Sequence, residues 1–125
     1  MKRALLWLPS GFILIVEVAT TPADMRRGLA GRMRLLKYQG MLFVSPHVGL
    51  ARFTMQGMLL PLDMIWLGPD RRIVEIYENA QPGDVGPFGG NVPSKYTLEV
   101  PAGMAERYGL RVGQGIRWLE GSRWV

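Results

Sequence analysis

The chain has 125 residues, 48% of them apolar and 20% charged, a composition too hydrophobic for disorder and long enough for one well-buried core. It contains no cysteine, which excludes disulfides, thiolate nucleophiles and cysteine-ligated metals and points to a reducing, cytoplasmic setting. The net charge of +5 comes mostly from arginines scattered along the chain, and is read as solvated, ion-paired surface in preference to a nucleic-acid or anionic-membrane footprint.

Sixteen glycines and nine prolines imply many turns and short strands. At the start, Met1-Lys2-Arg3 followed by apolar residues 4–16 imitates an export signal. Pro9-Ser10-Gly11 interrupts that stretch, however, and no run is long enough to span a bilayer. The two halves predict a hairpin, with strands near 4–8 and 12–19. In the second strand Phe12, Leu14, Val16 and Val18 share one face and Ile13, Ile15, Glu17 and Ala19 the other. Both faces are expected to be largely buried, so Glu17 requires a partner.

Thr21, Pro22 and Asp24 form a helix start: a capping hydroxyl, a proline suited to the first turn and an acid at the positive end of the dipole. The helix is short, with Met25 and Leu29 inward, Arg26 and Arg27 in water, and Gly28 as a stop or a point of close approach. A strand over 41–44 follows, then a loop over 45–49 and a strand near 50–55. The run Leu62-Asp63-Met64-Ile65-Trp66-Leu67 reads as a central strand buried on both faces. Gly68-Pro69-Asp70-Arg71 turns the chain into a returning strand over 72–78. Residues 79–93, with four glycines and three prolines, predict a long loop. In the next strand Tyr96, Leu98 and Val100 are expected inward, and Lys95, Thr97 and Glu99 outward. A short helix from Pro101 to Gly109 and a last strand near 115–120 complete one domain spanning residues 1–125.

Ordered blocks along the chain resemble the DUF192 family, a family of unknown function. They are Val18-Ala19-Thr20-Thr21-Pro22, Arg27-Gly28-Leu29 with Arg32, Gly40-Met41-Leu42-Phe43-Val44, Phe53 and Met55, and Pro61-Leu62-Asp63. Further blocks are Ile73-Val74, Asn79-Ala80-Gln81-Pro82, Pro93-Ser94-Lys95-Tyr96 and Leu98-Glu99-Val100-Pro101-Ala102-Gly103. The resemblance covers about residues 12–116. It implies a bacterial or archaeal protein with a compact β-barrel or sandwich and short helices, and no established activity. Where the family pattern has Phe-Trp-Met-Lys-Asn-Thr, this chain reads Phe53-Thr54-Met55-Gln56-Gly57-Met58. The apolar anchors survive and the tryptophan and polar trio do not.

Few residues here suit catalysis. The single histidine, His47, stands in a predicted loop and reads as a surface residue, and no hydrolase elbow, phosphate loop or zinc-binding helix is present. With one histidine and no cysteine, neither a metal nor another cofactor is expected. Glu17, Arg32 and Asp63 are the notable polar set: they either fix helix and loops to the sheet or line a polar pocket. Asp63 alternatively satisfies backbone donors of a neighbouring loop. Gly89 and Gly90 are flexible turn residues or a ligand cradle. Arg26, Arg27, Arg32, Arg34 and Lys37, with Arg107, Arg111, Arg117 and Arg123 interleaved by Trp118 and Trp124, are the candidate nucleic-acid surface.

The sequence therefore predicts an α+β fold, mainly antiparallel, as a barrel-like or sandwich domain of about eight strands and two short helices. The expected function is binding or accessory, with a small ligand or a protein as partner. Its site is bordered by 45–49, 54–60 and 79–93, with His47, Gln56, Gly89 and Gly90 as contacts. The alternatives are a metal-free enzyme using Glu17, Arg32 and Asp63, and a nucleic-acid-binding module.

Overall fold

The predicted turn at residues 9–11 forms as expected: the Leu8 amide donates to the Phe12 carbonyl and the Gly11 amide to the Leu8 carbonyl, at 2.9 and 2.8 Å. It joins β1 (Lys2–Trp7) to β2 (Ile13–Ala19) in antiparallel register. The structure is a computed structural model that describes residues 1–120. Thr21 accepts from the Asp24 amide and Pro22 opens α1 (Pro22–Arg27). The connection through α1 brings the chain back beside β2, so β3 (Gln39–Gly49) pairs with β2 in parallel. Parallel neighbours need a crossover of about a dozen residues or more, which the segment between Ala19 and Gln39 supplies. The remaining strands are β4 (Arg52–Phe53), β5 (Leu62–Leu67), β6 (Ile73–Ala80), β7 (Phe88–Gly89), β8 (Ser94–Pro101) and β9 (Arg117–Glu120), with α2 (Met104–Arg107) before the last.

Seven strands form one mixed sheet in the order β6-β5-β8-β3-β2-β1-β9, and β4 and β7 pair separately. Two short helices on a mostly antiparallel sheet make an α+β fold. The sheet is not closed into a barrel. Its two edges are joined by an isolated bridge between Arg72 and Gly115, flanked by amide bonds from Ile73 to Gln114 and from Ile116 to Arg71. One apolar cluster lies against the face bearing Leu6, Leu14, Val16, Leu42, Ile65 and Leu98, and includes α2 and Trp118. A second lies on the other face, where Met41, Phe43, Met64 and Trp66 pack under Leu29, Met55, Met58 and Phe88.

Several sequence expectations change here. Ile13 and Ile15 are exposed, so the outer face of β2 is not buried and Glu17 reaches half-open surface. Residues 45–49 continue β3 instead of forming a loop, with a register shift between Val44 and Gly49. The loop expected over 79–93 is shortened by the end of β6 and interrupted by β7. The largest correction concerns β8. Its neighbours β3 and β5 are themselves covered on both faces, so Thr97 and Glu99 are buried, not outward. Among the described residues no helix is long and apolar enough to cross a membrane.

Candidate functional site

Directly opposed residues in adjacent strands share a face, and Glu17, Met41, Glu99 and Met64 occupy one such row across β2, β3, β8 and β5. Over the β3–β8 part of this row the chain builds a cover from α1 and residues 51–58. The cover is anchored from below: the Trp66 indole N–H donates to the Ala51 carbonyl at 2.9 Å. Phe53 meets Phe43 edge-on with ring centres 5.0 Å apart, and Trp66 at 6.1 Å. β4 and β7 pair through Arg52–Gly89 and Phe53–Phe88, which lays the 88–90 segment against the same sheet face.

The cover leaves a cleft of about 440 Å³. Its apolar lining includes Phe43, Met58 and Leu29 just after α1, and Arg26, Arg27, Arg52, Ser45, Thr54 and Gln56 supply polar groups. Glu99 lines it from the sheet, although its side chain belongs to a residue only 4% exposed. Burial pushes the Glu99 carboxyl up to about 8, with no hydrogen bond or neighbouring charge among the causes. Desolvation therefore favours the protonated, hydrogen-bond-donating form of this group in the cleft wall. Beside it on the same strand face, the buried Thr97 hydroxyl has no hydrogen-bond partner among the described residues.

The residues singled out from sequence are distributed differently. Glu17 and Arg32 form an ion pair in a separate hollow of about 280 Å³ with Tyr38, Gln39 and Arg3. Asp63 does not join them. Its row, with Val100, Gly40 and Val16, lies on the opposite sheet face. There the fully buried carboxylate accepts from the Asn79, Gly103 and Ala105 amides at 2.8, 3.0 and 2.9 Å. It thereby fixes the β6 bulge at Asn79 and the start of α2. The convergent acid–arginine set is thus replaced by a surface ion pair and an internal tie.

His47 is exposed on the β3 extension and does not line the cleft. Gln56 lines it. Gly89 and Gly90 are packing positions at its border: φ is +77° and +74°, and a side chain would overlap the Trp66 ring and the Arg52 stem respectively. Glu99 is the residue the sequence reading missed. The signal was its place within a strand whose neighbours, Leu98 and Val100, already fill the opposite face.

A larger cleft of about 550 Å³ lies at the seam between the sheet edges, lined by Trp7, Arg71, Arg72 and Trp118. Two of its cations, Arg71 and Arg72, are already engaged, and Arg117 lies over the Trp7 ring. Arg71 stacks 3.7 Å above Trp118 and donates to that residue's carbonyl, and Arg72 donates to Gly113 and faces Asp70. The basic surface around Arg26, Arg27 and Arg34 is exposed, whereas Trp118 is buried, and Arg123 and Trp124 lie outside the described residues. Among the described residues no group of three or more His, Asp or Glu side chains converges in a way that could hold a metal.

The DUF192 family model, described as "Uncharacterized ACR", matches residues 10–118. No curated protein matches the chain. Among solved structures, a protein of unknown function from Novosphingobium aromaticivorans DSM 12444 is 33% identical with a TM-score of 0.86, over 93% of this chain and 84% of that one. A Sinorhizobium meliloti 1021 protein, provisionally described as a transcription regulator, is 32% identical with a TM-score of 0.84, over 95% of this chain and 92% of that one.

Proposed function

The chain belongs to the DUF192 family of uncharacterised proteins, and from that premise we propose that it is a non-enzymatic ligand-binding domain whose ligand occupies the cleft over Glu99. One observation carries this reading: a carboxyl on a residue only 4% exposed forms part of the wall of an open cleft lined by apolar and cationic side chains, and burial raises its pKa. A carboxyl desolvated by the fold in such a place gains stability when a ligand supplies a hydrogen-bonding partner. Pockets that bind small molecules combine an apolar lining with a few placed polar groups, as Phe43 and Met58 do here with Glu99, Thr54 and Gln56. Thr54, Gln56 and Met58 are also positions where the chain departs from the family pattern described above.

The test is an amide-resolved NMR titration of the full chain with small aromatic and aliphatic acids, amides and amines. Shifts are expected to cluster on Ser45, Thr54, Gln56 and Glu99 and to vanish in Thr54→Trp, where the indole fills the cleft. Shifts centred instead on Trp7 and Trp118 would contradict the reading. A nucleic-acid-binding role is the second reading, supported by the charge of +5 and by the description of the Sinorhizobium relative. It predicts oligonucleotide binding that weakens steeply with salt, and a flat anisotropy titration at low salt removes it.

A further inference from the structure

Arg26, Arg27 and Arg52 are exposed residues that line the cleft, and none of them has an ion-pair partner among the described residues. Arg52 is held in place by Gly90, whose lack of a side chain leaves room for the arginine stem. Burial raises the pKa of Glu99, the acid in the wall beside them, to about 8, so it offsets little of their charge at neutral pH. The cleft is therefore cationic at its rim, apolar at Phe43 and Met58, and carries one carboxyl donor in its wall.

We propose, resting on the cleft being the binding site, that its ligand is a small organic acid with an apolar body. The ligand carboxylate accepts a hydrogen bond from the protonated Glu99 carboxyl and is balanced by the arginines, while the body packs on Phe43 and Met58. A cationic ligand would meet the arginines with nothing to offset them. A bare inorganic anion would leave the apolar walls unfilled. Hydrogen bonds between a carboxylic acid and a carboxylate are of the short, charge-assisted kind, which favours this pairing over a neutral ligand.

Binding then carries a proton with it. Below the titration of Glu99 the site already holds that proton, whereas above it one proton must be taken from solvent for each anion bound. The groups around Glu99 do not interfere with this. α1 contributes Arg26 and Arg27 and β4 contributes Arg52, all permanently charged. β3 and β5 present Met41, Phe43, Met64 and Trp66, which do not titrate. Beyond Met41 in the same row Glu17 is paired to Arg32, and beyond Met64 lies Tyr77.

The experiment titrates the full chain with benzoate, benzamide, benzylamine and inorganic phosphate, following cleft amides by NMR. Benzoate should shift them, benzamide less, and benzylamine and phosphate not at all. Between about pH 7 and about pH 9 benzoate should weaken about tenfold, since its binding follows the protonated fraction of Glu99. E99Q, which keeps a donor but cannot ionise, should bind benzoate with no such pH dependence, and Arg52→Gln should bind it several-fold more weakly. Benzylamine or phosphate matching benzoate, or a flat pH series in the wild-type chain, would overturn the ligand class while leaving the cleft as the site. No probe shifting any cleft amide would sink the site and the ligand class together.

Discussion

Asp63 and Glu99 are both acids buried in adjacent central strands, yet their surroundings give them opposite roles. Three backbone amides converge on Asp63, so its charge is solvated by the protein itself. Asp63→Ala leaves those donors unsatisfied, and should lower unfolding free energy by on the order of 3 kcal/mol or more, read as a reduced urea midpoint with an unchanged slope. The half-exposed Glu17–Arg32 pair is different: Arg32→Gln should change stability by less than about 1 kcal/mol in the same measurement. Among the described residues no such donors reach Glu99, and burial shifts it towards the protonated form. Its folded value of about 8 lies above the ordinary 4.5, so between those pH values the folded state binds a proton that the unfolded state has released. Stability from this group therefore falls as pH rises through that window, by up to about 1.4 kcal/mol per unit, and levels above it. E99Q should abolish the slope in urea midpoints measured across the window. An identical slope in the variant would assign the effect elsewhere.

At the level of elements, local chemistry was the legible part. The opening hairpin, the Thr21 cap with Pro22, and the fully buried run of β5 all rest on neighbours in sequence, and all are where the residue pattern places them. What the pattern concealed depends on distant segments. β8 alternates polar and apolar residues like a half-exposed strand, but α1 and residues 51–58 cover the face that carries Thr97 and Glu99. β3 runs past Pro46 because the chain bulges there, with Lys95 donating to the Ser45 and Pro46 carbonyls. The parallel β2–β3 pair was hidden because a short helix followed by irregular chain carries no mark of a crossover. The candidate site was legible only at its border, in Gln56, Gly89 and Gly90. These glycines yield a prediction at the same scale. Gly89→Ala adds a side chain against Trp66 at positive φ and should cost roughly 1–3 kcal/mol by thermal or urea unfolding. A neutral outcome would mean that the β4–β7 pair is free to move off the sheet.

Taken whole, the molecule is one curved sheet with a different task on each face. One face encloses an apolar interior with α2, tied by Asp63, and the sheet edges meet there at a single bridge. The other is capped by α1 and the Phe53–Met58 segment, and the cap leaves a cleft with Glu99 in its wall. The blocks that resemble the family divide between these tasks: Asp63, Asn79 and Gly103 meet at the tie, and Gly28, Phe43, Phe53 and Glu99 meet at the cleft. The ligand class proposed for the cleft turns on the protonation state of one carboxyl. Following the Glu99 side-chain carboxyl carbon by NMR through a pH titration of the ligand-free chain addresses it directly. A midpoint near 8 is expected, with the group protonated at neutral pH. A midpoint in the ordinary carboxylate range would contradict the account, because the wall of the cleft would then carry a negative charge.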